Sequence, residues 1–438
     1  MAAGAGDGER ARLGPASFVG CTVITCGYLP YARVLAESFR RHNPDAEFVA
    51  LLVDGDPSRL GDEPFCVLTP GDVGISPEEL DLRGLMYTAT ELVCSLRPAL
   101  LRHLLGAGAS AAILMDADGC VYGGLRAIAA RAADVGTLFT AHLLAPHPPP
   151  DASDESLELV QIGYGVLNGG FLAVGSRSAT FLDWLHERLR RHCVNAPERG
   201  LYLDQRWLDL AIGMFPHEIL SQSGCNVMCL NLQQRDVLWH GERPSMSDGP
   251  LLYFHFLLGF DPERPEQLCA EPFAARWLGY LTERPGAQRL AHEYAERLLA
   301  HGAPEARRPP QHYDTLPGGL PIDRHVRAAV RRGVLAAEQG SAQAPPNPFH
   351  DGDSEALLRW LSQPVGDAPQ HAGLSRYRQA IRDLRPDLLA AFPGVPGEHT
   401  QRFLAWVDSE RDGEWMAQYA ILERATTDGS AVSARPRS

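Results

Sequence analysis

Two continuous apolar runs, Phe48-Val49-Ala50-Leu51-Leu52-Val53 and Ala111-Ala112-Ile113-Leu114-Met115, each end abruptly in an Asp-X-Asp triplet. No other feature constrains the fold as much. A strand that is apolar at every position has both faces buried, as inside a parallel sheet covered by helices. Cys21-Thr22-Val23-Ile24-Thr25 reads as a third strand. Helical patterns lie between them. Pro30 suits the first turn of a helix running to about His42, with Val34, Leu35, Ser38 and Phe39 on one side and Arg33, Glu37, Arg40 and Arg41 more exposed. A second helical region covers Thr88 to Leu105, with an interruption expected near Pro98. This alternation predicts an α/β, doubly wound, Rossmann-like domain whose ligands gather at the carboxyl ends of the strands. Thr25, Asp54 and Asp116 all fall at such ends.

Beyond Asp118 the pattern is less regular. A loop is expected at Pro146–Pro150, a strand at Gly170–Val174, helices at Ser178–Cys193 and Gln205–Ile212, and strands at Asn226–Leu230 and Leu251–Phe256. After Pro262 the segments turn helical, with linkers expected at Ala303–Pro310 and Ser341–Pro348. The expected organisation is a tail over 1–16, an α/β domain over 17–265, a helical C-terminal domain over 266–425 and a second tail over 426–438. The C-terminal helices carry Trp360, Leu361, Phe392, Phe403, Trp406 and Trp415, enough apolar surface to pack.

Composition narrows the chemistry. Across 438 residues there are 40 basic and 54 acidic side chains, a net charge of −14 that argues against nucleic-acid or anionic-membrane partners. No apolar run approaches the ~20 residues that span a bilayer, and residues 1–16 have no apolar core for a signal peptide. Nine cysteines without a Cys-X-X-Cys pair point to a reducing, cytoplasmic compartment. Every basic residue is arginine; the chain has no lysine. That excludes Schiff-base and pyridoxal-phosphate lysines and a Walker-type phosphate loop. Any cationic side-chain contact with phosphate must come from the arginine fork.

Asp116-Ala117-Asp118 then carries the chemistry. Two carboxylates this close raise each other's pKa and are costly to desolvate without a cation. A hard divalent ion such as Mn²⁺ or Mg²⁺ removes the conflict. Taken alone, the triplet is also compatible with a solvated Asp- and Gly-rich turn. It is followed in order by Leu167-Asn168-Gly169-Gly170-Phe171, Leu203-Asp204-Gln205-Arg206-Trp207-Leu208 and Phe254-His255-Phe256.

This ordered set resembles the GT-A glycosyltransferases, most closely the glycogenin and lipopolysaccharide galactosyltransferase family (family 8), over roughly residues 19–262. The resemblance implies a GT-A nucleotide-sugar-binding domain with Asp116, Asp118 and His255 holding Mn²⁺ (or Mg²⁺). Two oxygens and an imidazole suit that ion independently. It further implies that Asn168 and Gly169 face the donor sugar and that Asp204 and Gln205 are the catalytic pair. One of these would hold sugar hydroxyls while the other lies under the anomeric carbon. Arg97 is implied to reach the donor, Thr25, Cys26 and Tyr28 to contact the nucleotide, and Arg264 to serve a phosphate. In this chain Arg264-Pro265 stands later than the family's Lys-Pro, with Arg for Lys. Plain alternatives exist for several: a tight turn at Asn168-Gly169, a helix cap for Asp204, a surface position for Arg97, a packed core residue for His255 and an ordinary helix-start residue for Tyr28.

The function implied is a metal-dependent transfer of a hexose from a nucleotide sugar, UDP-linked by family habit, with retention of configuration. The acceptor is a hydroxyl on a small molecule, glycan or peptide, met through the loop Leu143–Gln161 and the C-terminal domain. Asp204 or Asp209 would be the base in an inverting reaction. Homo-oligomerisation is left open. Two other readings use the same residues: a sugar-nucleotide nucleotidyltransferase and a non-catalytic nucleotide-sugar-binding protein. The first normally has a glycine-rich basic loop after its first strand, which Thr25-Cys26-Gly27-Tyr28-Leu29 is not. The second expects decay of residues that are all present here.

Overall fold

The computed structural model describes residues 18–146, 157–256, 259–268, 284–307, 311–410, 413 and 415. The two expected tails and residues 147–156 of the loop expected to meet the acceptor lie outside the described residues. Chain contacts divide the molecule into two units, Met1–Gly74 with Val93–Pro309, and Ile75–Leu92 with Pro310–Ser438. The boundary read from sequence at 265/266 falls inside the first unit.

In chain order the first half forms β1 (Val19–Ile24), α1 (Leu29–His42), β2 (Glu47–Leu52), β3 (Cys66–Leu68), α2 (Pro77–Met86), α3 (Ala89–Gly106), β4 (Ala111–Met115), β5 (Gly119–Val121), α4 (Arg126–Val135) and β6 (Thr137–Ala141). Next come α5 (Leu157–Tyr164), β7 (Leu167–Gly175), α6 (Ala179–His192), the short ribbon of β8 (Asn195–Ala196) and β9 (Leu201–Tyr202), α7 (Gln205–Ala211), β10 (Glu218–Leu220) and β11 (Val227–Met228). A three-stranded meander, β12 (Leu238–His240), β13 (Arg243–Met246) and β14 (Gly249–Pro250), precedes β15 (Tyr253–His255), α8 (Pro285–Ala300) and α9 (Ala303–Arg307).

The central sheet of the first unit runs β10-β6-β7-β4-β1-β2-β3. Its strands pair in parallel except β7, which is antiparallel to both β4 and β6. All five residues of β4 and all nine of β7 are buried, as strands covered on both faces require. One face of the core gathers Leu35, Phe39, Ile113, Met115 and Phe171; Gly20 lets α1 approach, since a Cβ there would lie 2.6 Å from the Phe39 ring. A second sheet, β11-β15-β5, carries β15 antiparallel to β5.

Two local expectations are corrected. Pro98 does not interrupt α3, which runs unbroken from Ala89 to Gly106. Proline removes one backbone bond, but Leu96, Ala99, Leu100 and Leu101 are buried on either side of it, and that packing carries the helix across the gap. The expected linker at Ala303–Pro310 starts with α9.

The second unit is helical: α10 (Arg324–Glu338), α11 (Pro348–Asp351), α12 (Ser354–Ser362), α13 (Arg376–Asp383), α14 (Pro386–Ala391) and α15 (Thr400–Ser409). It also takes α2 from the N-terminal half. The buried guanidinium of Arg327 donates to the carbonyls of Gly84 (2.7 Å), Tyr87 and Tyr313 (2.7 Å), and the Tyr313 hydroxyl donates to Asp81 at 2.9 Å. Gly84 must lack a side chain, because a Cβ would meet the Tyr313 ring at 2.2 Å. Leu361, Phe403 and Trp415 are buried, so the apolar residues noted in the sequence do form a core.

Helix α8 joins the first unit through Tyr294, whose ring stacks on Phe256 at 4.0 Å and 4° and lies 5.5 Å from Phe260. The Tyr294 hydroxyl is buried without a hydrogen bond among the described residues. Removing an unsatisfied hydroxyl is neutral or favourable, whereas emptying the site leaves a cavity. Tyr294→Phe should therefore leave the urea-unfolding midpoint unchanged or raised, while Tyr294→Ala should lose about 3–5 kcal/mol. A large loss in the Phe variant would mean that the hydroxyl has a partner in solution.

Candidate active site

The register of three strands assembles the metal-ligand candidates. Met115 pairs with Phe171, so the next step sets Asp116 against Gly170, whose carbonyl accepts the Asp116 N–H at 2.9 Å. The chain then turns into β5, where Gly119 pairs with His255 and the Asp118 carbonyl accepts the Phe256 N–H at 2.7 Å. Residues 137 positions apart thereby become neighbours. His255 Nε2 lies 3.0 Å from Asp118 Oδ1 and 3.5 Å from Asp116 Oδ2, and one ligand atom from each residue fits within 4.8 Å of the others.

β7 supplies the floor. Its pairing with β6 jumps from Phe139↔Leu172 to Thr140↔Asn168, so Gly169, Gly170 and Phe171 bulge out of that ladder. The Thr140 hydroxyl fills the break, donating towards the Phe171 carbonyl at 3.1 Å and accepting from Asn226 Nδ2 at 2.8 Å. Both glycines are dictated by space. A Cβ on Gly170 would sit 2.6 Å from His255 Cε1 and 2.8 Å from Asp116 Oδ2; one on Gly169 would sit 2.9 Å from Asp204 Oδ1. Asn168 Oδ1 accepts the Gly170 N–H at 2.6 Å, the local bond expected of a turn, and its Nδ2 is directed at His142 and Met228.

Arg97 ties this floor to α7. It is buried, not a surface arginine, and donates to Asp204 Oδ2 (2.8 Å), to the Gly169 carbonyl (3.1 Å) and to Asp116 Oδ1. Burial opposes its charge, but Asp116 and Asp204 prevail and hold its pKa well above the ordinary value. Asp204 stands at the N-cap position of α7 yet makes no capping bond with its side chain. Burial pushes its carboxyl up, with Arg97 acting in the opposite direction. Leu203 immediately before it has φ +51°, a left-handed conformation that costs a non-glycine residue about 1–3 kcal/mol. Gln205 is pinned at both ends, its Oε1 accepting from Gly169 N at 3.4 Å and its Nε2 donating to the Tyr164 carbonyl at 2.9 Å.

The residues present fit a divalent ion. Three carboxyl groups, those of Asp116, Asp118 and Asp204, are gathered with one guanidinium, that of Arg97. Burial is the largest single influence on His255 and works against its charge, but Asp118 and Asp116 together prevail and raise the imidazole pKa, the mark of a site that favours a cation. The space over Gly170 that any side chain would fill keeps the ligand atoms accessible to one another.

Other expected residues behave differently. Thr25 is buried at the end of β1, and the Cys26 N–H donates to Asp54 Oδ1 at 2.7 Å, which gives Asp54 a structural part. Asp56 accepts the Ser58 N–H at 3.0 Å. Tyr28 is half-buried 5.0 Å from the Tyr31 ring and packs on the cluster that contains Ala117. Arg264 is not drawn in; its side chain is 66% exposed and its carboxylate neighbour is Asp261 at 4.0 Å. Leu257 and Leu258 lie outside the described residues.

Sequence reading missed His142 and Tyr253. The Tyr253 hydroxyl donates to the Asp116 carbonyl at 2.9 Å, and Gly119 leaves room for its ring. His142 follows β6, is buried, and has Nδ1 3.4 Å from Asn168 Nδ2 while Nε2 has no partner among the described residues. Its position just after the largely apolar run Thr137-Leu138-Phe139-Thr140-Ala141, which forms β6, was the available signal.

The structure is similar to solved GT-A glycosyltransferases. Among them are the galactosyltransferase LgtC in complex with donor and acceptor sugar analogues (16% identity, 61% of this chain and 96% of that one, TM-score 0.37) and GlyE of Streptococcus pneumoniae TIGR4 (12%, 68% and 65%, TM-score 0.34). In sequence the chain is similar to the uncharacterised protein YfnF of Bacillus subtilis (strain 168), 26% identical over 245 residues that span 54% of this chain and 80% of that protein. No protein-family model matches it.

Two expectations follow. Gly170→Ala should weaken Mn²⁺ binding by calorimetry about tenfold or more, whereas Gly163→Ala, with open space at its Cβ, should not; equal affinities would remove the cradle. Burial lowers the His142 pKa from 6.5 to about 4, so the unfolded chain binds a proton that the native state refuses. Stability should therefore fall as pH drops through that window, by about 3 kcal/mol in all, and His142→Gln should flatten the slope of urea stability against pH.

Proposed function

We propose that the first unit moves a hexose from a nucleotide sugar, UDP-linked by the family resemblance, to a hydroxyl on a small-molecule, glycan or peptide acceptor, with retention of anomeric configuration. The observation that carries this reading is the coupling of Asp116, Asp118 and His255 to Asp204 and Gly169 through one buried arginine. A divalent ion such as Mn²⁺ or Mg²⁺, held by the first three, would supply the positive charge that a departing nucleotide diphosphate needs.

The protein's own groups do the rest. Arg97 opposes the effect of burial on Asp204 and fixes it beside Gly169, where an ionised carboxylate would favour positive charge developing at an anomeric carbon. Gln205, locked by two backbone groups, presents an amide that cannot rotate away, so its reorganisation cost during reaction is small. Asn168 is held through Gly170 N, and the missing side chain of Gly169 lets Asp204 and Arg97 close over that backbone. Thr25, Cys26 and Tyr28, which follow β1, would contact the nucleotide, as the family resemblance implies.

Retention is supported by the state of the carboxylates. An inverting reaction needs a free base. Asp209 accepts from Val166 N, Leu167 N and Arg206, and Asp204 is engaged by Arg97. The nucleotidyltransferase reading lacks its basic glycine-rich loop, because the turn after β1 is the single-turn helix Cys26–Tyr28 with no cation in it.

Asp116→Ala and Asp118→Ala should each cut Mn²⁺-dependent UDP-hexose hydrolysis about a hundredfold or more with the circular-dichroism spectrum unchanged. His255→Ala should cost less, since water can replace one neutral ligand. A screen of UDP- and GDP-sugars in which no donor is hydrolysed or stabilises the protein, with Mn²⁺ present, would count against transfer altogether.

A further inference from the structure

The second unit contains a cavity of about 570 Å³, a size that holds small ligands. It is walled by α10, α12, α13 and residues 342–346, and carries Arg332, Arg359 and Arg376. Among the described residues no Asp or Glu lines it, in a chain whose net charge is −14. Two of the arginines are neutralised from outside the wall: Arg332 by Asp383, and Arg359 by Asp353 and Glu355 at 3.6 and 3.4 Å.

Arg376 has no carboxylate partner among the described residues. Its Nη1 donates to the Trp360 carbonyl at 3.0 Å and to Gln363 Oε1 at 3.1 Å, and its guanidinium lies 4.8 Å over the Trp360 ring. Arg332 Nη1 likewise donates to Gln379 Oε1 at 2.7 Å. Guanidinium only donates, so both amide oxygens must face the arginines and both NH₂ groups are left over. The side chains of this wall therefore offer donors and positive charge but few acceptors.

That inventory selects the ligand. It must be anionic and rich in acceptors. A bare oxyanion fills little of the volume, and a peptide brings N–H groups that need acceptors the side chains do not supply. A sugar hydroxyl accepts through two lone pairs while its single O–H can rotate to solvent at the open side of the cavity, which a fixed peptide N–H cannot do, and a planar carboxylate matches the guanidinium fork. We propose that this cavity binds a short anionic saccharide, its carboxylate on Arg376 and its hydroxyls on the amides of Gln363 and Gln379. The proposal goes beyond the transfer reaction and stands without it.

The test is calorimetry on the full chain with a galacturonic acid trimer, maltotriose, inorganic phosphate and tetraglutamate. The acidic trimer should bind, with maltotriose about tenfold weaker, and Arg376→Gln should lower affinity for the trimer about tenfold while Arg376→Lys loses less. If Arg376→Gln does not fold, Gln343→Glu, on an exposed part of the wall, should weaken the trimer by repulsion. Equal binding of maltotriose, equal or tighter binding of phosphate or tetraglutamate, or wild-type affinity in the folded variants would overturn the proposal. Mn²⁺–UDP binding, measured alongside, should be unchanged in these variants. Its absence from the wild-type protein would count against the transfer reading and leave this one standing.

Discussion

A single buried guanidinium organises the candidate site. Burying a charge is expensive unless it is paired and fully hydrogen-bonded, and removing one partner of such a set typically costs about 3–5 kcal/mol. Arg97 meets that requirement with Asp116, Asp204 and the Gly169 carbonyl, three groups contributed by β4, the start of α7 and the β7 bulge. Each would be poorly placed without it: Asp204 is a buried carboxylate, Gly169 presents a carbonyl left out of the β6 ladder, and Asp116 stands beside another acid. Arginine suits this role, since its guanidinium has five N–H donors to share among several acceptors, whereas an ammonium is a compact point charge.

Much of the architecture was legible because parallel strands buried on both faces leave unbroken apolar runs; the ends of β2 and β4 were read to within one residue and those of β1 to within two. The fragments around Asp116, Asn168, Asp204 and His255 were also legible, as short stretches whose order implied proximity. What joins them was not. Arg97 was singled out only through the family resemblance, as a donor contact; its link to Gly169 depends on the antiparallel return of β7, a long-range choice that local pattern does not record. His142 and Tyr253 were hidden for the same reason.

The assignment of Ile75–Leu92 to the second unit was illegible for a different cause. Its docking depends on Gly84 having no side chain under Tyr313 and on Arg327 finding three carbonyls, and neither leaves a periodic signature. Pro98 marks the opposite failure. A strong local rule predicted a break, and burial on both sides overrode it.

The bulge in β7 has a further consequence, for how a chain like this can change over generations. Residues on either side of it are locked into ladders with β4 and β6, and the two glycines inside it have carboxylates and an imidazole at contact distance. Adding or deleting one residue between Asn168 and Phe171 would shift every side chain of a fully buried strand to the opposite face. Length variation is thereby shut out of the floor of the site and diverted to its rim. Descendants can acquire new partners by rewriting the segments that follow β6 or precede α7, while the spacing from Asn168 to Phe171 stays fixed by geometry.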